Sequence, residues 1–436
     1  MILANKPFLL FQSQEKQQNN TRYLLVLFYG LFLSLVFLAL YLTSITAFFF
    51  IGLILLFSAI FLFSEKEQFL FIVLLIPNLY LFKYPERPDA ILGYYIVLVG
   101  AVYLYKFYSF LKFKPFLLFH FLVCLITSTY WGDFKLIISV VKFTVGFYFF
   151  STISELFTKK EICTCINYYI IGSTIAIVLG IIYHLHLGDL YNGSFAGINC
   201  ERNYFSAVIS PTLAFIILLF MRMKLQLKQS IVMLVASVFY FICLLLCASR
   251  IAVIALIFPC ILLLSYIPLY NIKIDSLKKI IIIASITLFI SIFLFGQYGD
   301  AIEHLVDRFG NESFKTGSGR FDLWKFYYER NAESIVTLLI GSGIPEYGKN
   351  LFMEHNLIVQ CFSQTGILGL ITYFGAYFHS LINYVKKINH FHIMNFTPIF
   401  MILFCFLGIS AFHSNQFSGV FILSLSLAYY LDENIA

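Results

Sequence analysis

Apolar runs close to twenty residues long recur from Tyr23 almost to the C-terminus, separated by short polar or charged stretches. A helix of about 20 apolar residues crosses a hydrocarbon layer roughly 30 Å thick. On that pattern spans are predicted at about 23–43, 45–64, 68–83, 90–106, 115–131, 134–154 and 165–186, then at about 204–221, 231–248, 251–267, 279–297, 356–385, 396–412 and 416–431. The early runs are short and tightly joined, which leaves room for a tilted helix or a re-entrant pair, so the count is roughly 12 to 14. The stretch from Ile231 to Ile267 is too long for one crossing at about 1.5 Å per residue, so a bend is expected at Cys247-Ala248-Ser249-Arg250. The expected fold is an all-α polytopic integral membrane protein. It has one membrane domain, 1–436, with no repeated unit and no linker to a soluble domain.

The lysines and arginines of the short loops set the orientation, because cytoplasmic loops carry the excess. With an inside N-terminus, that face receives Lys106, Lys112 and Lys114, then Lys159 and Lys160, then Arg222, Lys224 and Lys228, then Lys273, Lys278 and Lys279, and finally Lys386 and Lys387. Both termini are then cytoplasmic. Lys83 and Arg87 fall outside, offset by Glu86 and Asp89. The outer face also receives the segment from Gly188 to Asn203, the turns at Ala248–Arg250 and His413–Asn415, and the loop 298–355. That loop is the longest polar interval, and long loops in compact proteins tend to be functional. Helical spacing of Ile302, Leu305, Val306 and Phe309, and of Phe321, Trp324, Tyr327 and Tyr328 among charges, predicts two short amphipathic helices on the membrane surface.

Composition agrees with the pattern: 61% of the 436 residues are hydrophobic, 19% aromatic and only 12% charged, against about a quarter charged in soluble domains. A soluble globule is excluded. The formal charge of +7 is distributed by topology and gives no reason to expect nucleic acid. The nine cysteines are scattered through apolar runs and read as packing residues. Met1 to Asn20 lacks the pattern of a cleaved signal, and the first apolar run is expected to be a retained span.

The chemistry-bearing residues gather on the predicted outer face. Arg250 at its bend, and Glu201-Arg202-Asn203 opening the span near Tyr204, place two guanidiniums where a lipid phosphate lies, although each residue alone also reads as a snorkelling or capping group. Thr316-Gly317-Ser318-Gly319-Arg320 precedes the Trp324 helix and suits an anion, or an ordinary turn. Glu354-His355-Asn356 stands where the long loop re-enters the membrane, and His355 is the natural candidate general base, or a helix-end bystander. His304 and His413 show no paired spacing, so no zinc site is expected, and no Asp-x-Asp pair offers a divalent clamp. No Gly-Lys-Ser/Thr phosphate loop is present, which argues against a nucleotide hydrolase. Lys142 is the one charge placed deep in a span.

Taken together, Gly319-Arg320 with Trp324, Gly341-Ser342-Gly343, His355-Asn356 and Gly366-Ile367-Leu368-Gly369, with Ser249-Arg250 and Arg202-Asn203 upstream, resemble the O-antigen ligase and polymerase superfamily. The resemblance covers Asn199 to Gly369 in motifs and the rest only as a series of spans. It implies metal-independent, cofactor-free and inverting glycosyl transfer on the periplasmic face of a bacterial cytoplasmic (inner) membrane, with sugars carried on undecaprenyl diphosphate. His355 would be the catalytic base or an essential polar contact, and Arg202, Arg250 and Arg320 the diphosphate ligands. Trp324 and Tyr327 would offer stacking faces, with Asn203 and Asn356 as further positioning contacts. The aromatic spans and their number lean toward a polymerase of O-antigen or capsule repeats. The alternative is a ligase transferring polymer to lipid A core. Expected partners are the lipid-linked oligosaccharide, membrane lipid and, by resemblance alone, a chain-length regulator. The rival from another class is a lipid-linked oligosaccharide flippase or transporter, against which the one-sided polar inventory and lack of repeated halves argue.

Overall fold

A computed structural model describes residues 6–84, 91–107, 112–188, 195–198, 200–222, 227–247, 249, 320–345, 354–388, 393–409 and 412–433. These residues are mostly helical, with no strand among them. The helices are α1 (Lys6–Thr43), α2 (Thr46–Leu62), α3 (Glu65–Leu75), α4 (Ile91–Lys106), α5 (Pro115–Trp131), α6 (Phe134–Leu156), α7 (Lys159–Leu187), α8 (Arg202–Arg222) and α9 (Leu227–Leu246). After the undescribed stretch come α10 (Arg320–Ala332), α11 (Ile335–Ile340), α12 (Leu357–Val385), α13 (Thr397–Cys405) and α14 (Asn415–Glu433). Five stretches, Thr21–Thr43, Phe134–Thr152, Lys160–Leu187, Arg202–Phe220 and Leu357–Val385, are long and apolar enough to span a bilayer. The chain is therefore an all-α polytopic membrane protein. The predicted spans at 251–267 and 279–297, and the amphipathic helix near 300–309, lie outside the described residues.

Chain order separates two ends of the bundle. α5 stops at Trp131 and α6 starts at Phe134, whereas α6 stops at Leu156 and α7 starts at Lys159. At the second end, Glu67 meets Arg22 at 3.6 Å, and Lys66 with Glu161 and Lys106 with Glu65 complete a belt of ion pairs. The carboxylates of Glu67 and Glu161 also fold back onto the backbone amides of Ser64 and Thr158, both at 2.8 Å, and fix the starts of α3 and α7. At the first end, α7 terminates on Gly188 and α8 begins at Arg202. α8 is the most enclosed of those five stretches, with 94% of its apolar window buried by the protein. What its first turn carries is therefore held against a rigid centre.

Three predicted spans differ from simple crossings. The run at 68–83 is an eleven-residue α3 followed by a 3-10 turn over Ile76–Leu81. Pro77 lacks the N–H that would continue the ladder, and Asn78 donates its side-chain amide to Gly172 O of α7 at 3.1 Å. α12 breaks at Gly366, where φ is 66° and ψ −167°. The run at 396–412 has only nine helical residues in α13, too few to cross at about 1.5 Å each. The turn at His413–Asn415, expected on the outer surface, is instead buried, with His413 5% exposed between α5 and α6. The cause is side-chain chemistry: His413, Ser414 and Asn415 are polar, and each finds a partner or contact inside, His413 on Ser139, Ser414 on Tyr204, and Asn415 against Gly146.

Candidate functional site

The break in α12 organises the candidate site. A helix carbonyl normally accepts from the amide four residues on, so the carbonyls of Ser363 and Gln364 look to residues beyond Gly366, where the helix turns away. The segment after α11 supplies replacements. Ser342 N donates to Ser363 O at 2.9 Å and Gly343 N to Gln364 O at 3.1 Å. The side chain of Asn331, at the end of α10, donates to Phe362 O at 2.7 Å and Ser363 O at 3.1 Å. The backbones meet closely: a Cβ on Gly366 would lie 2.4 Å from Leu339 O, and one on Gly341 2.3 Å from Thr365 N. Only glycines fit there, and both have positive φ. The Gly341-Ser342-Gly343 motif is thus a strap over a helix break. Trp131 Nε1 donates to Gly341 O at 2.9 Å, and Asp133 Oδ2 accepts from Ile344 N at 2.7 Å, fixing the strap to the α5–α6 corner.

The turn entering α12 carries His355. Asn356 caps the helix, its Oδ1 accepting from Ile358 N at 2.8 Å and Val359 N at 3.2 Å, while its Nδ2 donates to Leu407 O at 3.1 Å. At 6% exposure and with both ends of its amide engaged, Asn356 holds the start of the helix, the positioning side of what was expected of it. Glu354 is fully buried, its carboxylate accepting from Ser363 Oγ at 3.0 Å and its carbonyl from Trp324 Nε1 at 2.8 Å. Between them His355 adopts φ 49°, an uncommon conformation for a residue with a side chain. Its neighbours on both sides are committed to the scaffold, while its own side chain is half-buried.

His355 Nδ1 lies 4.0 Å from Glu201 Oε2, with the two side chains 32% and 47% exposed. Burial holds the imidazole below its ordinary pKa, with the Arg320 guanidinium acting in the same direction and Glu201 against both. Burial and Arg320 thus favour the neutral ring, while the nearby Glu201 carboxylate favours its protonated form. Glu201 is itself held: Asn203 Nδ2 donates to Glu201 Oε1 at 2.7 Å, and Asn203 Oδ1 accepts from Ser249 Oγ at 3.0 Å. Asn203, 7% exposed, thus orients the carboxylate and ties α8 to the residue preceding Arg250.

Of the residues singled out in the sequence, the structure brings together His355 and Arg320, with Arg202 half-buried in the first turn of α8 beside Glu201. Arg250 and Thr316–Gly319 lie outside the described residues. Trp324 is half-buried, donates to Glu354 O and meets Phe321 edge-on at 5.4 Å. The expectation for Tyr327 needs correction: at 1% exposure its ring packs inward and has no face for a sugar. The exposed rings of α10 are Phe321, Phe326 and Tyr328. Lys142 places its ammonium 4.6 Å from the centre of the Tyr94 ring, a cation–π contact within the bundle. Glu201 is the functional candidate that sequence reasoning passed over, because it reads as the neutraliser of its neighbour Arg202. No protein-family model matches the chain, and no curated protein matches it.

Proposed function

We propose that the protein is a glycosyltransferase of the O-antigen polymerase type, joining undecaprenyl-diphosphate-linked oligosaccharide repeat units on the outer face of a bacterial cytoplasmic membrane. The observation that carries this reading is the pairing of His355 with Glu201, under the field of Arg320, at one end of a membrane-embedded bundle. The acceptor hydroxyl gives its proton to His355 as its oxygen bonds to the anomeric carbon. The bond from that carbon to the diphosphate breaks, and the lipid diphosphate leaves with the electron pair. Glu201 stabilises the imidazolium formed, while Arg320 and Arg202 stabilise the charge growing on the diphosphate. One displacement inverts the anomeric centre. The half-buried Trp324 and exposed Phe321 supply aromatic surface near the same turn.

The belt at the opposite end, with Arg22, Lys66 and Lys106, supports a cytoplasmic assignment of that end under the positive-inside rule, with His355 on the outer side in this reading. The test is to supply purified protein with a lipid-linked repeat unit. A ladder of longer lipid-linked products, lost in His355→Ala and Arg320→Ala, is expected. Transfer only to added core lipid would make the protein a ligase, and no transfer with either acceptor would refute the enzymatic reading.

A further inference from the structure

Away from this site, α5 and the turn before α14 bring together three side chains that the transfer chemistry does not use. His120 and Cys124 lie one helical turn apart on α5, and His413 approaches them from the far end of the chain. The Nε2 atoms of the two histidines are 2.7 Å apart, and Cys124 Sγ lies 3.5 Å from His120 Nε2 and 3.9 Å from His413 Nε2. His120 and Cys124 are fully buried and His413 is 5% exposed. Around them stand aromatic rings: Phe412 stacks on His413 at 3.7 Å, Phe143 at 5.2 Å, and Tyr373 meets His120 at 5.2 Å. We propose that His120, Cys124 and His413 form a buried three-ligand binding site for one monovalent copper ion.

The outer nitrogens of both rings are oriented as metal-bound histidines are. His120 Nδ1 lies 3.2 Å from Thr372 Oγ1, whose own proton goes to Leu368 O at 2.7 Å, so Thr372 accepts and the His120 proton sits on Nδ1. That leaves His120 Nε2 as a bare lone pair pointing into the cluster. Without metal one of the two Nε2 atoms donates to the other at 2.7 Å; with an ion in place of that proton, His413 can carry its own proton on Nδ1, 2.9 Å from Ser139 Oγ, which can accept it. Two nitrogens and one sulfur on a single ion stand roughly 3.3–3.7 Å apart. The two sulfur–nitrogen separations are near that range, and the nitrogen pair, now 2.7 Å apart, needs to open by roughly 0.6–1.0 Å.

Charge selects the ion. Copper(I) replaces the thiol proton of Cys124 and leaves the site's net charge unchanged. Zinc(II) would add a positive charge in an apolar enclosure that already feels Lys142 near His413. A soft thiolate with two imidazoles and no fourth ligand among the described residues also suits the low coordination of copper(I). Bound there, the ion ties the turn at 412–414 to α5. Phe412 N of that turn donates to Gln360 Oε1 of α12 at 3.1 Å, and further back Phe406 O accepts from Leu357 N at 2.9 Å and Leu407 O from Asn356 at 3.1 Å, so the ion is linked to the helix that follows the His355 turn.

The full-length protein, purified in detergent from copper-supplemented cells, is assayed for metal by mass spectrometry and titrated anaerobically with copper(I) buffered by bicinchoninate. One copper per chain is expected, with copper-edge X-ray absorption showing two nitrogen neighbours and one sulfur. Cys124→Ser and His120→Gln should each retain less than about a tenth of the copper at unchanged helical circular dichroism. Copper content in the wild type no higher than in Cys124→Ser, a shell without sulfur, or displacement of copper by equimolar zinc would overturn the assignment. If the variants do not fold, the wild-type absorption spectrum decides it. None of these readouts depends on glycosyl transfer.

Discussion

Asn331 is the side chain on which the docking of α10 against the broken helix depends most directly. It is fully buried, and its amide nitrogen serves Phe362 O at 2.7 Å and Ser363 O at 3.1 Å. Ser363 O keeps Ser342 N and Oγ, at 2.9 and 3.0 Å, when the amide is removed, so the principal loss falls on Phe362 O. Asn331→Ala removes two bonds worth about 1 kcal/mol each and leaves a buried carbonyl short of a donor, for a total of roughly 2–3 kcal/mol. Asn331→Asp is close to isosteric yet worse. It retains an acceptor for Ser342 Oγ, 3.3 Å from Asn331 Oδ1, but turns an oxygen toward two carbonyl oxygens with no solvent to relieve it, and should cost roughly 3–5 kcal/mol. Unfolding in mixed micelles gives the two values, and amide exchange over 341–344 and 363–368 should quicken in both variants, more in the aspartate. An aspartate variant as stable as the wild type, or exchange unchanged in that window, would refute the proposed seal on the helix break.

The electrostatics of His355 make a signed prediction. Glu201→Gln removes the group that raises its pKa, so the imidazole midpoint, followed by NMR, should fall, whereas Arg320→Gln should raise it. The acid limb of glycosyl transfer should move the same way in each variant, and movement in the same direction for both would refute the arrangement. Trp324→Phe deletes the 2.8 Å bond to Glu354 O and should cost about 1–2 kcal/mol in thermal stability, lowering kcat more than it raises KM. Gly366→Ala forces a Cβ to 2.4 Å from Leu339 O at a φ of 66°, with an expected loss of roughly 2–4 kcal/mol measured by chemical unfolding. Asn356→Asp keeps the cap oxygen, and Asn356→Ala, losing it, should be less stable by about 1 kcal/mol in the same assay.

The helices themselves were written in the apolar runs, and α5, α6 and α12 begin and end close to where hydropathy and punctuation place them. Hydropathy averages over about nineteen residues, so it could not see features of one or two. The Gly366 break looks like any glycine in an apolar run, and only the strap bonded to Ser363 and Gln364 reveals what it does. Tyr327 and Tyr328 are adjacent, and which ring turns inward depends on how α10 rolls onto Phe362, a tertiary fact. Glu201 was hidden by its neighbour: beside an arginine, a carboxylate reads as local neutralisation, and its approach to His355 spans more than 150 residues. The His120–Cys124 pair has a readable four-residue spacing, but the third member lies 289 residues from Cys124. The spacing of His413 within its own run therefore carried no signal.

These long-range contacts converge on the first half of α12. Its start is held by the Asn356 cap and by Phe406 O and Leu407 O from the segment behind it, and its end by Asn331 and the strap. A short helix pinned at both ends has little freedom to tilt, so the turn preceding it presents His355 at a fixed angle, and the left-handed backbone there is sustained by its surroundings. Glu201 is fixed separately, through Asn203, at the start of a helix that is almost wholly enclosed. In the proposed transfer reaction, His355 and Glu201, anchored to two separate supports, would not have to be gathered when the substrate arrives, and that saving would apply to the transition state, where an imidazolium and a leaving diphosphate would develop charge together. It follows that substitutions at Asn331 or Asn356, neither of which the structure leaves facing a substrate, should lower the rate of transfer by loosening the supports, while leaving the affinity for the lipid-linked donor largely intact.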